Sequence, residues 1–397
     1  MSGTLVDRVL SASPIFDGHN DLPWALRQKF GNSVSAAGLA GDQPFLHTDI
    51  PRLKAGGVGA QFWSVFVPSN LSAGESVVAT LEQIDCVHRI VAAHPDVFEL
   101  VRTAAQVRDT IGRGKIASLI GMEGGHSIAG SLGVLRMMRD LGVQYMTLTH
   151  NDNTSWARSA TGIEVAHGLT SFGKEVVIEM NRIGMIVDLS HVAEQTMVDA
   201  LECTVSPIIF SHSSCRTVCA HVRNVPDAVL ERLPANGGVL MATFVPAFVS
   251  EECREYQARA EAKRLELGLA VGFHDIAPQE DLAAAQEFKG WESSHPPPSA
   301  TINDVVRHLE HARDIVGPQH LGLGGDFDGI AELPQGMDGV AGYRPLLEAL
   351  ALRSWSEGDL RALTGGNILR VLEEVEEMAV RGPRKESGLD ERFLLKH

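Results

Sequence analysis

Short apolar runs recur along the chain, and most of them end in polar residues that are followed by a stretch with helical spacing. Several runs are almost continuously apolar, as expected for parallel strands that are buried on both faces. The pattern predicts eight strands, at residues 14–17, 60–67, 116–122, 143–149, 185–189, 207–210, 239–244 and 321–324.

Helical periodicity fills the segments between these runs. It is clearest at residues 76–93 and 173–183, and again after Thr301, a predicted N-cap. Residues 355–378 also predict helices that pack on the strands. Strands that alternate with helices in this way indicate a (β/α)8 barrel of the TIM type. A doubly wound open sheet is the alternative, but no glycine-rich nucleotide motif follows the first strand.

The predicted barrel forms one catalytic domain over residues 1–397. Its irregular part is 251–300, which is charged and alanine-rich and ends in three consecutive prolines at 296–298. This composition predicts a helical insertion after the seventh strand, closed by a stiff linker.

Composition excludes several classes of protein. The 397 residues are 44% hydrophobic and 21% charged, which is typical of a soluble folded domain. A net charge of -16 repels phosphate backbones, so we expect no nucleic-acid partner. The longest apolar stretch, 239–249, is too short to cross a bilayer, and no secretory pattern opens the chain. We therefore expect a cytoplasmic protein without a membrane partner, whose five cysteines are mostly reduced.

Polar residues follow six of the eight predicted strands at their ends, and each group contains His, Asp or Glu. Because the carboxyl ends of barrel strands form one face, we expect these side chains to converge on a shared pocket. The groups lie at residues 17–21, 122–126, 149–152, 189–191, 210–213 and 325–328.

The first of these groups carries His19 and Asp21, whose side chains point the same way on an extended chain. Imidazole nitrogens and carboxylate oxygens are both good zinc ligands. Each candidate is weak alone, since Glu123 could cap a helix and His191 or His212 could be a hydrogen-bonded core residue. Taken together at successive strand ends, they can supply two metal ions with Glu123 between them.

Several short motifs make the chain similar to the renal, or membrane, dipeptidase family of metallopeptidases. The resemblance runs from about residue 14 to about residue 375, which makes it far more specific than any one motif. The motifs are DGHNDLPW (17–24), EGGH (123–126), LTHNDNTSWA (148–157), DLSH (188–191), SHSS (211–214), RNVPD (223–227), GGDFDG (324–329) and GGNILRVLEEVE (365–376).

The resemblance implies a barrel with two zinc ions per chain. It implies that His19, Asp21 and Glu123 hold one ion, and that Glu123, His191 and His212 hold the other. Two such ions close together lower the pKa of bound water towards neutrality.

The resemblance also implies roles for three further residues. His150 would contact the reacting carbonyl, Arg223 would bind the substrate carboxylate, and Asp326 would transfer protons. These roles agree with chemistry, since a tetrahedral oxyanion needs hydrogen-bond donors and a guanidinium matches a carboxylate. Asp328, which we expect on the same strand face, competes with Asp326 for proton transfer.

The substrate implied by the resemblance is a dipeptide with a free C-terminal carboxylate, with a D-residue accepted at the C-terminal position. A homodimer is implied more weakly. One alternative is another amidohydrolase-type barrel enzyme, such as a lactonase or cyclic amidase, which usually bridges its metals with a carboxylated lysine where this chain has His150. The other is a non-catalytic zinc-bearing binding protein, against which Asp326 and Arg223 argue because neither is needed merely to hold zinc.

Two further carboxylates at the strand ends, Asp17 and Asp188, are not among these candidate ligands and catalytic residues. We expect Asp17 to structure the turn after the first strand or to support a ligand. Asp188 has two alternatives: it orients a metal-bound histidine, or it caps the following helix.

Overall fold

The computed structural model describes residues 3–271 and 281–379. The nine strands within these ranges all pair in parallel. They are β1 (Ile15–Asn20), β2 (Val58–Ser64), β3 (Phe98–Leu100), β4 (Ile116–Glu123), β5 (Val143–Thr147), β6 (Ile186–Asp188), β7 (Ile209–Ser213), β8 (Val239–Ala242) and β9 (Leu321–Leu323).

Eight of these strands close into a barrel, which confirms the predicted (β/α)8 fold. The order runs from β2 through β1, β9, β8, β7, β6 and β5 to β4, and β4 pairs back with β2. All eight predicted runs overlap these strands. Their residues are buried on both faces, which explains the nearly continuous apolar pattern.

The ninth strand, β3, was not predicted. It has only three residues, Phe98–Leu100, and it pairs with Ile116–Ser118 at the start of β4. β5 pairs with Ile120–Glu123, further along the same strand. Since Ala117–Gly121 of β4 pairs with β2, β3 and β5 share the other edge of β4. A strand of three residues leaves no periodicity to detect.

Helices surround the barrel and occupy the segments that the periodicity predicted. They are α1 (Leu5–Ala12), α2 (Leu22–Phe30), α3 (Val34–Ala37), α4 (Ile50–Gly56), α5 (Ala73–Ala93), α6 (Ala104–Gly112), α7 (Leu132–Leu141), α8 (Ser171–Ile183), α9 (Glu194–Cys203), α10 (Asp227–Leu230), α11 (Leu233–Asn236), α12 (Pro246–Val249), α13 (Glu251–Glu266), α14 (Leu282–Ser294), α15 (Ile302–Val316), α16 (Tyr343–Ala351), α17 (Glu357–Arg361) and α18 (Asn367–Met378).

α15 shows why the helical predictions succeeded. Thr301 is its N-cap, as predicted, and the Thr301 backbone N–H donates to the Asp304 carboxylate at 2.6 Å. Val305, Leu309 and Ala312 are spaced three or four residues apart and are all buried. No helix in the described ranges is both long enough and apolar enough to cross a bilayer.

The helices α13 and α14 follow β8, the seventh strand of the barrel, where a helical insertion was predicted. Among their described residues only Cys253 and Phe288 are buried. The part of the predicted insertion at 272–280 lies outside the described residues. The assignment of residues 1–397 to one domain stays a prediction.

The five cysteines are free thiols, in agreement with the expectation that they are mostly reduced. Cys219 donates its thiol to the Ala247 carbonyl and Cys253 to the Pro298 carbonyl, each at 3.4 Å.

Candidate metal centre

His19 and Asp21 lie at the carboxyl end of β1, and their side chains converge as the sequence spacing predicted. His19 Nε2 is 3.3 Å from Asp21 Oδ2, and both residues are buried. Asp21 occupies the N-cap position of α2, but its carboxylate makes no capping bond there. Its Oδ1 atom and His19 Nε2 have no hydrogen-bond partner among the described residues. These two atoms are therefore available to a ligand.

Glu123 is the last residue of β4, and its two carboxylate oxygens face different partners. Oε2 lies 3.2 Å from His19 Nε2 and accepts a hydrogen bond from the Ser64 hydroxyl at 3.0 Å. Oε1 lies 3.0 Å from His191 Nε2 and 3.5 Å from His212 Nε2. The carboxylate thus stands between two groups of ligand atoms, as expected for a bridging ligand.

His191 lies just after β6 and His212 lies near the end of β7, and their rings meet at the same point. Their Nε2 atoms are only 2.9 Å apart. His191 adopts a φ of 67°, a left-handed conformation that is uncommon for residues other than glycine. Strain of this kind tends to cluster at functional sites, where the surrounding structure holds it.

The electrostatics of this cluster suit cations. Burial raises the pKa of Glu123, and burial together with the charge of Asp21 raises the pKa of Asp326 well above its ordinary value. Burial also lowers the pKa of His191 and His212 well below the usual range. The neutral rings of His191 and His212 are in the state that binds metal, whereas Tyr145 and the carboxylates of Glu123 and Asp21 raise the pKa of His19. Crowded carboxylates gain most from a positive charge.

Three overlapping groups of ligand atoms meet here, each within 4.8 Å. Two of them share Glu123, so the donor set of imidazole and carboxylate fits two cations with one bridging residue. The groups are His19, Glu123 and His212; Glu123, His150 and His191; and His19, Asp21 and Asp326.

Asp326 and Asp328 are separated by the structure, although the sequence placed them on one strand face. That expectation is wrong, because β9 ends at Leu323 and both aspartates have left-handed φ values, 60° and 65°. Asp326 turns towards Asp21 and His19. Asp328 instead accepts a hydrogen bond from the His47 backbone N–H at 2.8 Å, and burial raises its pKa to about 6.

His150 lies beyond the end of β5 and faces the same cluster. Its Nε2 atom is 3.7 Å from Glu123 Oε1, and its ring centre is 4.4 Å from that of His191. Burial lowers the pKa of His150 well below its ordinary value. The neutral ring is close enough to act as a ligand as well as to contact a bound substrate.

Arg223 is a buried cation on the loop after β7, with only 3% of its surface exposed. Its guanidinium carbon lies 5.3 Å from the centre of the Phe248 ring. Burial lowers its pKa to about 10, against the charges of Asp326 and Glu123. Nη1 has no hydrogen-bond partner among the described residues, so this nitrogen is free to bind an anion.

The structure also shows the contacts of the two remaining carboxylates, Asp17 and Asp188. Asp17 accepts hydrogen bonds from the backbone N–H groups of His19 and Gly325, so it structures the turn as expected. Asp188 does not cap α9, whose N-cap is Ala193. It accepts instead from the backbone N–H of Ser211, beside His212, so the capping alternative is wrong. That Asp188 orients a metal-bound histidine stays a prediction.

The sequence reasoning missed the hydroxyl groups around the ligands, namely Ser64, Tyr145 and Ser211. Ser211 precedes His212 directly, and that adjacency was an available signal. Tyr145 lies inside an apolar strand and nothing local distinguishes it, because its contact with His19 crosses the barrel.

A family model for the membrane dipeptidases, peptidase family M19, matches residues 4–386. The chain belongs to this family. The match covers nearly the whole chain and includes every residue of the candidate centre, which agrees with the resemblance found in the motifs.

Solved structures agree with this M19 assignment. The probable dipeptidase PvdM from Pseudomonas aeruginosa shares the fold, with a TM-score of 0.81 and 20% identity over 94% of this chain and 98% of its own. A metallopeptidase from Rhodobacter sphaeroides, liganded with a phosphinate mimic of the dipeptide L-Ala-D-Ala, has a TM-score of 0.73 and 25% identity over 91% and 99%. The dipeptidase AC, a metallopeptidase of family M19, has a TM-score of 0.73 and 26% identity over 91% and 98%.

Membership decides between the predicted activities. The M19 chain is a metallo-dipeptidase, a hydrolase that acts on peptide bonds. This assignment sets aside the lactonase, the cyclic amidase and the non-catalytic binding protein as alternatives.

Proposed function

We propose that this M19 peptidase is a dinuclear zinc dipeptidase that accepts a D-residue at the C-terminal position of its substrate. The observation that carries the proposal is the position of Glu123, with one oxygen towards His19 and the other towards His191 and His212. A carboxylate so placed between two ligand groups is suited to hold two cations at once.

His19, Asp21 and Glu123 would hold one zinc ion, and Glu123, His191 and His212 the other. When bound, the pair would supply Lewis acidity and lower the pKa of water at the site. The remaining steps fall to side chains of the chain itself.

Asp326 has the environment of a proton-transfer group. Burial and the neighbouring Asp21 charge raise its pKa, so the carboxyl can take a proton and then give it to the departing amine. His150, kept neutral by burial, retains an N–H that can donate to the carbonyl oxygen as negative charge develops. Both groups face the cluster from different strand ends.

Arg223 provides the recognition element for a free C-terminus. Its buried guanidinium has an unpartnered Nη1 near the centre, and a carboxylate accepts two parallel hydrogen bonds from such a fork. This supports a dipeptide substrate, because a longer chain would place an amide where the carboxylate belongs.

Acceptance of a D-residue is supported by the Rhodobacter sphaeroides relative, whose ligand mimics L-Ala-D-Ala. A cytoplasmic location, a homodimer and the lack of a nucleic-acid or membrane partner stay predictions from the sequence.

Metal analysis with a dipeptide panel tests the proposal. We expect two zinc ions per chain and cleavage of both L-Ala-L-Ala and L-Ala-D-Ala, with little cleavage of their C-terminal amides. Asp326→Asn should keep both ions and lose about 10²- to 10⁴-fold in kcat, the usual contribution of a general acid–base group. Less than one metal per chain, or no cleavage of any dipeptide with zinc supplied, would overturn the proposal.

A further inference from the structure

Two buried hydroxyl groups contact the candidate histidine ligands on the far side of each ring. The Tyr145 hydroxyl lies 2.8 Å from His19 Nδ1, and the Ser211 hydroxyl lies 2.8 Å from His212 Nδ1. In both rings the other nitrogen, Nε2, is the atom that approaches Glu123. The tautomer of each histidine therefore depends on which partner donates in these two bonds.

The direction of the Tyr145 bond follows from its second partner. The same hydroxyl lies 3.1 Å from the Gly18 carbonyl oxygen, which can only accept. Its one proton goes to Gly18, so it accepts from His19 Nδ1–H, and the lone pair of His19 is left on Nε2. The ring fits beside Gly121, where a Cβ atom would lie 2.1 Å from the Tyr145 ring.

The direction of the Ser211 bond follows from Asp188. The Ser211 hydroxyl is 2.6 Å from Asp188 Oδ2, and the same oxygen accepts from the Thr147 hydroxyl at 2.5 Å. The backbone N–H groups of Ser190 and Ser211 donate to Oδ1. The Asp188 carboxylate is surrounded by donors and accepts a hydrogen bond from the Ser211 hydroxyl. Because the one proton of that hydroxyl is used in this bond, Ser211 accepts a hydrogen bond from His212 Nδ1–H. His212 is thereby left with its lone pair on Nε2.

His191 is held in a different way. Its Nδ1 atom has no hydrogen-bond partner among the described residues. Its backbone carbonyl accepts from the Ala160 N–H at 2.7 Å, so the chain around the residue is anchored although the ring is not. The two hydroxyl contacts are thus specific to one histidine in each half of the centre.

We propose that Tyr145 and Ser211 are positioning residues, each of which sets the tautomer and orientation of one histidine in one half of the dinuclear centre. The inference rests on the ligand set of the proposed function. Its consequence is that the two metal affinities can be weakened separately, one through Tyr145 and His19 and the other through Ser211 and His212. Removal of a side chain that forms a hydrogen bond to a metal ligand typically lowers the metal affinity about 10- to 100-fold.

Cobalt titration of the full-length apoprotein, followed by the visible absorption of the bound ion, tests this separation. Tyr145→Phe and Ser211→Ala are each made in two backgrounds. The His191→Ala background keeps only the metal site around His19 complete, and the Asp21→Ala background keeps only the metal site around His212 complete. We expect Tyr145→Phe to weaken the remaining site about 10- to 100-fold in the first background and to leave it unchanged in the second. Ser211→Ala should show the reverse, and thermal unfolding checks that each variant is folded.

Matched controls remove other buried hydroxyls. Tyr343→Phe and Ser118→Ala take away hydroxyl groups that form no hydrogen bond to a candidate ligand among the described residues, so both affinities should be unchanged. Unchanged cobalt affinity in both positioning variants, or equal weakening of both halves by either one, would overturn the inference. Failure of the proposed function is distinct, since the unsubstituted chain would then bind less than one metal or cleave no dipeptide.

Discussion

The candidate metal centre and the helical insertion carry the same kinds of charged side chain in opposite surroundings. Glu123 and Arg223 in the centre are 4% and 3% exposed. Glu251 and Arg254, which pair at the start of α13, have side chains that are 42% and 27% exposed. A buried charge is costly unless a partner or ligand compensates it, whereas an exposed ion pair contributes only about 0–1 kcal/mol. Charge composition therefore says little about function until burial is known.

The strongest way to break this comparison is to remove the central buried carboxylate charge. Glu123→Gln takes the negative charge from between the two ligand groups, so we expect both metals to bind more weakly. The loss of metal affinity should exceed the roughly 100-fold that is expected when a hydrogen-bond partner of a metal ligand is removed. Metal content after dialysis and kcat for L-Ala-D-Ala measure it. Glu261→Gln on the exposed insertion is the control, and retention of both metals by Glu123→Gln would contradict the bridging role.

The pH dependence of stability tests the same contrast at a buried histidine, His308, which lies between the barrel and the start of the insertion. His308 accepts from the Cys215 N–H near β7, and its Nε2 lies 3.2 Å from the Val249 carbonyl at the end of α12. Burial lowers its pKa to about 4 from 6.5. Below pH 6.5 this histidine binds a proton in the unfolded chain but stays neutral in the folded chain. The free energy of unfolding therefore falls as the pH drops towards 4, by up to about 3 kcal/mol.

Denaturant unfolding between pH 4 and 7 checks this sign. His308→Gln should flatten the slope over that range, although it also lowers stability at pH 7 by disturbing the two hydrogen bonds. His295→Gln, at an exposed position after α14, should leave the slope unchanged. An identical slope in the His308 variant would show that the buried histidine is not the source.

Arg223→Lys tests whether the buried guanidinium recognises the substrate carboxylate. A lysine keeps the charge but loses the fork, and a charged hydrogen bond is worth about 1.5–3 kcal/mol, so kcat/KM should fall about 10- to 100-fold. The fall should be confined to substrates with a free C-terminus, measured against the corresponding amides. Arg254→Lys, on α13, should change neither value; equal losses for acids and amides would argue against carboxylate binding.

The smallest effect is expected on the insertion itself. Leu282 is 87% exposed at the start of α14. Leu282→Ser should change the free energy of unfolding by no more than about 0.5 kcal/mol, as is usual for surface positions. Urea denaturation and the dipeptide assay measure this, and a large loss in either would mean that the insertion is more closely coupled to the barrel than its exposure indicates.

The sequence by itself determined the barrel and the candidate centre, because both depend on local patterns. Buried parallel strands leave apolar runs, and the polar groups after them identify the functional face without any knowledge of long-range contacts. His19, Asp21, Glu123, His191 and His212 were all found in this way, and the structure brings them together. The motifs also determined the family, which the match over residues 4–386 confirms.

The tertiary structure alone decided what each side chain faces. Strand alternation placed Asp326 and Asp328 on one face, but their left-handed backbone after β9 sends only Asp326 towards Asp21. Tyr145 and His19 are 126 residues apart, so their hydrogen bond exists only because the barrel closes in one register. Local preference selects strands, helices and ligand types, whereas the direction of a side chain across the barrel depends on packing that no short stretch of sequence contains.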